Sequence, residues 1–172
     1  MSSVELFAGY VSPLGIGVIP HEEFAKYSGL EVLQRLIDGK YPAPSIGARM
    51  NFGLSEVSEG RAVFRGVPSD RHLNPLGTVH GGWAATVMDS ALGCAVHTTM
   101  QPGEAYTTAE FKVNLIRPIL ADTGEVRCEG LVVHRGRTTA VSEARLFDAK
   151  DRLLAFGTET CSIFPLNRLS GG

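Results

Sequence analysis

The chain has 172 residues, of which 44% are apolar and 20% are charged, and its formal net charge is −2. A chain of this length can bury a core of its own, so we exclude a disordered, collagen-like, coiled-coil or disulfide-stapled protein. The nearly neutral charge gives no reason to expect nucleic acid as a partner.

The N-terminal quarter of the chain is predicted to be an extension. Residues 1–20 contain Gly and Pro without a clear hydrophobic period. Apolar residues then recur at steps of three and four over residues 21–37, which predicts an amphipathic helix interrupted near Gly29. A stretch rich in Gly and Pro ends this helix. We assign residues 1–45 to the extension and expect its helix to lie on the main body as a lid or brace.

A hairpin and a long helix are predicted next. Residues 48–65 alternate between apolar and polar, with Met50 in the first strand and a turn at residues 59–60. After a loop over residues 68–75, a helix is predicted from Thr78 to residue 100. This helix is apolar nearly all round, so we expect most of its faces to be buried.

The rest of the chain is predicted to form strands. Four segments of 10 or 11 residues alternate in polarity and are separated by short polar turns, which predicts antiparallel neighbours. The third segment has a face of small residues that suits a packed helix. We therefore predict an α+β fold over residues 46–165, with five or six curved antiparallel strands around one buried helix, and a flexible tail over residues 166–172. The four segments are residues 106–116, 124–134, 138–147 and 153–163.

Candidate catalytic residues lie on the long helix. Gly81 and Gly82 stand at its start, where each costs about 0.5–1 kcal/mol relative to Ala. Their bare amides could bind an oxyanion at the positive end of the helix, or they could allow close helix–sheet packing. Asp89 lies in the apolar middle of the helix, where it is either hydrogen-bonded to a strand or a nucleophile or base. His80 either contacts substrate or fixes the turn.

Common catalytic and cofactor motifs are missing. The sequence has no GxSxG, no phosphate-binding loop, no HExxH and no GxGxxG that opens a helix. A metal site built from His72, His80 and Asp89 would match no known spacing, so we expect no metal. The remaining histidines are expected to have structural, surface or packing roles; they are His72, His21, His97 and His134.

The cysteines and the N-terminus predict the location. The three cysteines are far apart and form no CxxC, which indicates buried thiols in a reducing compartment. The first 20 residues lack the basic start of a secretory signal, and no long apolar span is present. We therefore expect a cytoplasmic protein with no membrane segment.

One motif resembles a known family. The pattern Asn74-Pro75-x-Gly77-x-x-His80-Gly81-Gly82-x6-Asp89-x-x-x-Gly93 resembles the signature of hotdog-fold acyl-CoA thioesterases of the phenylacetic acid degradation type, known as PaaI-like. The segments from Thr108 to Pro118 and from Gly136 to Thr138 resemble the parts that follow in that family. The resemblance covers about residues 46–163. It implies the hotdog fold and hydrolysis of an acyl- or aryl-CoA thioester to free acid and coenzyme A, without a cofactor.

The same resemblance implies roles for individual residues. Asp89 would be the nucleophile or general base, and the Gly81 amide, helped by His80, would polarise the thioester carbonyl. Asn74 would position the water or the carbonyl, and Thr108 would contact that water. The residues implied in substrate binding are Gly82 at the carbonyl and Arg135, Arg137 and Thr138 near the coenzyme A phosphates.

Two other function classes stay open. A hotdog-fold hydratase or dehydratase would share the architecture, but it would use a His with an acid to move protons on the acyl chain. A non-catalytic acyl-CoA-binding protein would have no need of a buried base. The glycine pair after His80 favours hydrolysis over the first alternative, and Asp89 argues against the second.

The spacing along the long helix predicts an active site shared by two subunits. Asp89 follows Gly81 by eight residues, which is about 12 Å along a helix axis. An Asp side chain cannot span that distance to a carbonyl held at the Gly81 amide. A second copy related by a two-fold axis could supply the missing group. We expect a homodimer or a homotetramer that binds acyl-CoA, with neither nucleic acid nor membrane as a partner.

Overall fold

The structure, a computed structural model, describes residues 4, 5 and 10–170. The extension forms a two-stranded ribbon followed by three helices, of which the third reaches the first strand of the main sheet. In chain order these elements are β1 (Val4–Glu5), β2 (Val11–Ser12), α1 (Glu23–Lys26), α2 (Gly29–Ile37) and α3 (Ser45–Met50).

The main body contains six strands and one long helix, with a short 3₁₀ helix before the long helix and another after the last strand. The elements are β3 (Phe52–Ser58), β4 (Arg61–Gly66), a 3₁₀ helix (Asp70–His72), α4 (Gly81–His97), β5 (Glu104–Leu115), β6 (Val126–Arg135), β7 (Thr139–Asp148), β8 (Leu153–Pro165) and a second 3₁₀ helix (Leu166–Ser170).

The six strands form one antiparallel sheet in the order β3-β4-β6-β7-β8-β5. All six contact α4, so the sheet curves around the helix. Most of α4 is buried, including Trp83 and Met88. The predicted curved sheet around one central helix is confirmed.

Small residues let α4 approach the sheet closely. On β7 the inward face carries Ala140, Ser142, Ala144 and Leu146, and all four are buried, as predicted. On β6 a Cβ at Gly130 would stand 2.2 Å from the Ala91 carbonyl oxygen of α4. This position can therefore hold only glycine without moving the helix away.

The helix predicted over residues 21–37 is two helices, with the break that was predicted near Gly29. Ser28 begins α2 with a capping box, since its hydroxyl accepts the Glu31 N–H and the Glu31 carboxylate accepts the Ser28 N–H. A Cβ at Gly29 would stand only 1.7 Å from the His97 carbonyl oxygen. Glycine at this position therefore allows the extension to pack against the end of α4.

The strand predicted to begin at residue 48 begins later, so the prediction for residues 48–51 was wrong. Met50 was expected in a strand, but it is the last residue of α3, and the strand begins at Phe52. Asn51 adopts a left-handed conformation (φ 53°) that ends the helix and turns the chain into the sheet.

The tail assigned to residues 166–172 begins with the second 3₁₀ helix, whose first N–H binds the Gly103 carbonyl.

Candidate active site

The start of α4 presents one free amide. The His80 ring caps the helix, since its Nδ1 accepts the Gly82 N–H at 2.8 Å. A neutral ring in this arrangement carries its proton on Nε2 and can donate it to a ligand. The Gly81 N–H has no acceptor in the part of the chain that the structure describes. Gly81 and His80 thus provide two donors next to each other, whereas the Gly82 amide serves the cap.

Asn74 organises the loop that leads into α4. Its side-chain oxygen accepts the N–H groups of Leu76 and Thr78 at 2.9 and 3.3 Å. Its side-chain nitrogen donates to the Thr78 hydroxyl at 2.8 Å. Both ends of the side chain therefore bind within the loop, and its predicted contact with water or substrate stays a prediction.

Asp89 lies in the middle of α4 and lines a cavity of about 250 Å³. Burial raises the pKa of its carboxyl group above the usual range, which makes its carboxylate a stronger base. Thr108 of β5 lines the same cavity, and its contact with the attacking water, which the resemblance implies, stays a prediction. Apolar side chains of the sheet and of the extension make up most of the wall, among them Leu36, Ile46, Phe52, Leu54 and Phe64.

Glu159 is a site residue that the sequence analysis missed. It lies on β8 with its side chain fully buried, and its Oε1 accepts the Thr108 hydroxyl at 2.9 Å. Burial is the main reason that the pKa of its carboxyl group is raised to about 7. Polarity alternation along residues 153–163 could have revealed it, because Glu159 occupies an inward position between buried Ala155 and Cys161.

The predicted catalytic residues fall into two groups in one protomer. Asn74, His80 and Gly81 line a second cavity, of about 300 Å³, whereas Asp89 and Thr108 line the first. Neither of these two cavities is lined by residues of both groups. The structure therefore brings Asp89 together with Thr108, and His80 and Gly81 together with Asn74, but it does not bring the two groups together within one chain.

The predicted phosphate contacts lie at the turn between β6 and β7. Arg135 makes an ion pair with Glu104 at 2.5 Å and also donates to the Gly136 carbonyl. Arg137 and Thr138 are exposed, and the Thr138 carbonyl accepts the Ile163 N–H. None of the three predicted contacts lines either cavity described above.

The remaining histidines are structural or exposed, as predicted. His72 is buried against the Trp83 ring, and its Nδ1 accepts the Ser69 N–H at 3.1 Å. His97 packs between Phe24 and Tyr106, and burial lowers the pKa of its ring to about 4. His21 and His134 are exposed.

The cysteines carry free thiols. Cys128 and Cys161 are buried as predicted, and Cys94 is half-buried. Over residues 10–170, no group of three His, Cys, Asp or Glu side chains is arranged to hold a metal ion. No helix in the described ranges is long and apolar enough to cross a membrane.

Comparison with known proteins links these features to one superfamily. A family model described as "Thioesterase superfamily" matches residues 76–155, which include α4 and the strands β5, β6 and β7. A 1,4-dihydroxy-2-naphthoyl-CoA hydrolase of Listeria monocytogenes is 24% identical to the chain, over 69% of this chain and 96% of that protein.

Solved structures share the fold. A candidate thioesterase of Ralstonia eutropha, related to phenylacetic acid degradation, superposes with a TM-score of 0.69 and 26% identity, over 76% of this chain and 98% of that one. A Streptococcus mutans protein bound to acetyl-CoA superposes with a TM-score of 0.61 and 25% identity, over 67% of this chain and 90% of that one. The matched segment, the sheet around the central helix and the superposition on solved structures together show the hotdog fold and a similarity to the thioesterase superfamily.

Proposed function

We propose that this thioester hydrolase cleaves an acyl- or aryl-CoA thioester to free acid and coenzyme A, with Asp89 as the general base. The observation that carries the proposal is the position of Asp89, a half-buried carboxylate that lines a mostly apolar cavity together with Thr108. Such a cavity can hold an acyl group while the two polar side chains hold a water molecule.

The reaction needs a base, an activated water and an oxyanion site. Asp89 takes a proton from water as the water oxygen attacks the carbonyl carbon. The Gly81 amide and the His80 Nε2–H bind the carbonyl oxygen as it gains negative charge, and one such donor typically lowers the barrier by about 3–4 kcal/mol. The carbon–sulfur bond then breaks, and the leaving thiolate takes the proton from Asp89. No further co-reactant is needed.

The active site in this proposal is shared by two subunits. Helix α4 and strand β5 run side by side in opposite directions, since Thr108 shares a cavity with Asp89 and a Cβ at Gly81 would stand 2.7 Å from Leu115. Within the described sheet, β5 is an edge strand. A two-fold axis near Phe111–Lys112 would set Thr108 of one strand beside Leu115 of the other, and Asp89 would then face the partner's Gly81.

The edge of β5 supports this pairing. It carries two exposed apolar residues, Phe111 and Leu115, and exposed Ile116 follows directly; Leu115 is 57% exposed. A second copy would cover these side chains and pair the open strand edge. The functional unit proposed is therefore a homodimer, and its further pairing into a homotetramer stays a prediction.

The coenzyme A contacts and the location complete the proposal. Arg137 and Thr138 are exposed at one turn, where a guanidinium group can bind phosphate, whereas Arg135 must exchange Glu104 for phosphate to do so. The acetyl-CoA bound by the Streptococcus mutans relative supports this class of ligand. A coenzyme A ester as substrate and three free thiols favour the cytoplasm.

The function is tested with Asp89→Asn, which keeps the size of the side chain but removes the base. We expect a folded protein whose release of free thiol from acyl-CoA falls at least about 100-fold, because general-base catalysis contributes about that much. A single turnover of the unaltered protein in H₂¹⁸O should place one ¹⁸O in the product acid.

Four outcomes would contradict the proposal. Near-normal turnover by folded Asp89→Asn would remove Asp89 as the base. Incorporation of ¹⁸O into Asp89 in the single turnover would make this residue a nucleophile instead. Hydration of an enoyl-CoA without thiol release would identify a hydratase, and binding without turnover would identify a non-catalytic protein.

A further inference from the structure

Glu159 is a buried carboxyl group that the reaction above does not use. Its side chain has 0% exposure, and only one of its two oxygens is hydrogen-bonded. Oε1 accepts the Thr108 hydroxyl and the Cys161 thiol, both at 2.9 Å, whereas Oε2 has no partner among the described residues. A buried carboxyl group with an unpaired oxygen destabilises the fold, so its presence suggests a role other than stability.

The surroundings of Glu159 raise the pKa of its carboxyl group to about 7. The charged groups that act on it, Asp89 and Glu110, are both acidic and add to the effect of burial on its pKa. Ser142 lies directly opposite on β7, and its buried hydroxyl also lacks a partner among the described residues. The titratable or polar groups that face Glu159 from the packed elements are Asp89 and Cys94 on α4, Tyr106, Thr108 and Glu110 on β5, Ser142 on β7 and Cys161 on β8.

The bond from Thr108 to Glu159 determines what Thr108 can offer to a water molecule. A threonine hydroxyl has one proton to donate and two lone pairs that accept. Because the proton is given to Glu159, the oxygen is left as an acceptor on the cavity side. A water that attacks a carbonyl carbon must direct a lone pair at that carbon, so both of its protons need acceptors. Asp89 is one such acceptor, and Thr108 is the second.

We propose that Glu159 is a positioning residue for the hydrolytic water, because it holds the Thr108 hydroxyl as an acceptor for the water that Asp89 deprotonates. This inference rests on the proposed function. Glu159 touches neither the substrate nor the water, and it acts through Thr108. Ionised Glu159 can only accept, and its bond to Thr108 is roughly twice as strong as a neutral one. Protonated Glu159 can instead donate to Thr108, and the Thr108 proton is then free to point at the water in place of a lone pair.

The test combines three variants of this pair with one control variant. Glu159→Met should lower kcat about 10- to 100-fold with little change in KM, because the water loses its orientation while the acyl site is unchanged. Thr108→Val should lower kcat to a similar extent. The double variant should be no slower than Thr108→Val, because both substitutions remove the same interaction. Glu143→Gln, a carboxyl-to-amide change in a residue paired with Arg145, is the matched control and should leave kcat unchanged.

The pH profile separates positioning from packing. The ionised form is the active one, so kcat should rise with pH through about 7 as Glu159 loses its proton. Glu159→Gln cannot ionise and should lack this rise. The folded protein also keeps a proton that the unfolded chain releases above pH 4.5, so stability should fall as pH rises from 4.5 to about 7. Glu159→Gln should abolish this loss.

Three results would overturn the inference. They are a normal kcat in Glu159→Met, additive losses in the double variant, and an unchanged rise of kcat with pH in Glu159→Gln. If Glu159→Met does not fold, the pH profile of the nearly isosteric Glu159→Gln decides alone. Asp89→Asn keeps the two proposals distinct: loss of activity in that variant beside normal kinetics in the Glu159 variants would reject only the positioning role.

Discussion

His80 and Gly82 act as a pair at the start of α4, because the ring of one residue accepts the backbone N–H of the other. A Cβ at Gly82 would stand 2.8 Å from His80 Nδ1, so only glycine allows the ring to lie this close to the helix. A Cβ at Gly81 would meet the flexible end of Leu115 instead, at 2.7 Å. A side chain at Gly82 would therefore displace the His80 ring, whereas a side chain at Gly81 would displace Leu115.

Replacing either glycine should change activity more than stability. In Gly82→Ala the ring must move, so the cap is lost at a cost of about 1 kcal/mol, which the better helix propensity of Ala roughly offsets. In Gly81→Ala the methyl group crowds the carbonyl site. We expect kcat to fall at least about 10-fold in both, with the free energy of unfolding within about 1 kcal/mol of the original value.

A control for this pair is His80→Asn, which keeps a good capping side chain but removes the imidazole. It should reduce kcat while leaving the thermal midpoint nearly unchanged. If both glycine variants keep full activity and lose only stability, the glycines serve packing and the amide is not an oxyanion site.

At the scale of elements, the extension forms one wall of the acyl cavity. Leu36 from α2 and Ile46 from α3 line it, together with the segment between these helices. The extension is held in place by the Gly29 N–H, which donates to the Met100 carbonyl at 2.9 Å, and by the buried face of α2. The expected lid or brace therefore also lines the cavity at Asp89.

Enlarging a side chain of this wall should shorten the acyl chain that fits. Ile46→Phe should lower kcat/KM for octanoyl-CoA at least about 10-fold relative to acetyl-CoA, since one methylene in an apolar pocket is worth about 1–3 kcal/mol. Val18→Phe is the control, because Val18 belongs to the extension but is 86% exposed. Equal losses on both substrates, or the same effect in the control, would show that Ile46 does not limit acyl length.

Most of the elements could be predicted because their patterns are long. Helix α4 is a long run of mostly apolar residues, and the strands from β5 to β8 alternate in polarity over ten or more residues. Patterns of this length are enough to predict the type of each element. Helix α3 has only six residues, too few for a period, and its end depends on the left-handed Asn51. Short elements of this kind are fixed by packing rather than by pattern.

The active site was predictable only in part. Gly81 and Asp89 stand out because each is unfavourable in a buried helix, which is a local property of the sequence. The contact between Thr108 and Glu159 joins residues 51 positions apart, and it depends on the register of β5 against β8. That register cannot be predicted from a single sequence.

At the scale of the whole molecule, a shared active site predicts recovery of activity in mixed dimers. Asp89→Asn and Gly82→Ala chains are unfolded together in equal amounts and refolded. A mixed dimer should contain one site with Asp89 from one chain and both glycines from the other. Half of the dimers are mixed, so about a quarter of the original activity should return.

The controls are each variant refolded alone, and the fraction of mixed dimers measured by mass spectrometry. Both single variants should remain nearly inactive. No recovery in verified mixed dimers, or a fully active monomer, would place each site within one chain.

The cavity at Asp89 is lined by helices and strands of the same chain, whereas in the proposed dimer the amide that binds the oxyanion belongs to the partner. Substrate choice and carbonyl activation would then be encoded on different chains at each site. Substitutions in residues 36–47 can change the preferred acyl group without altering the oxyanion donors. In a heterodimer of two such variants, each site would select the acyl group preferred by the chain that supplies its Asp89. One assembly could then accept two kinds of acyl-CoA through a single reaction mechanism.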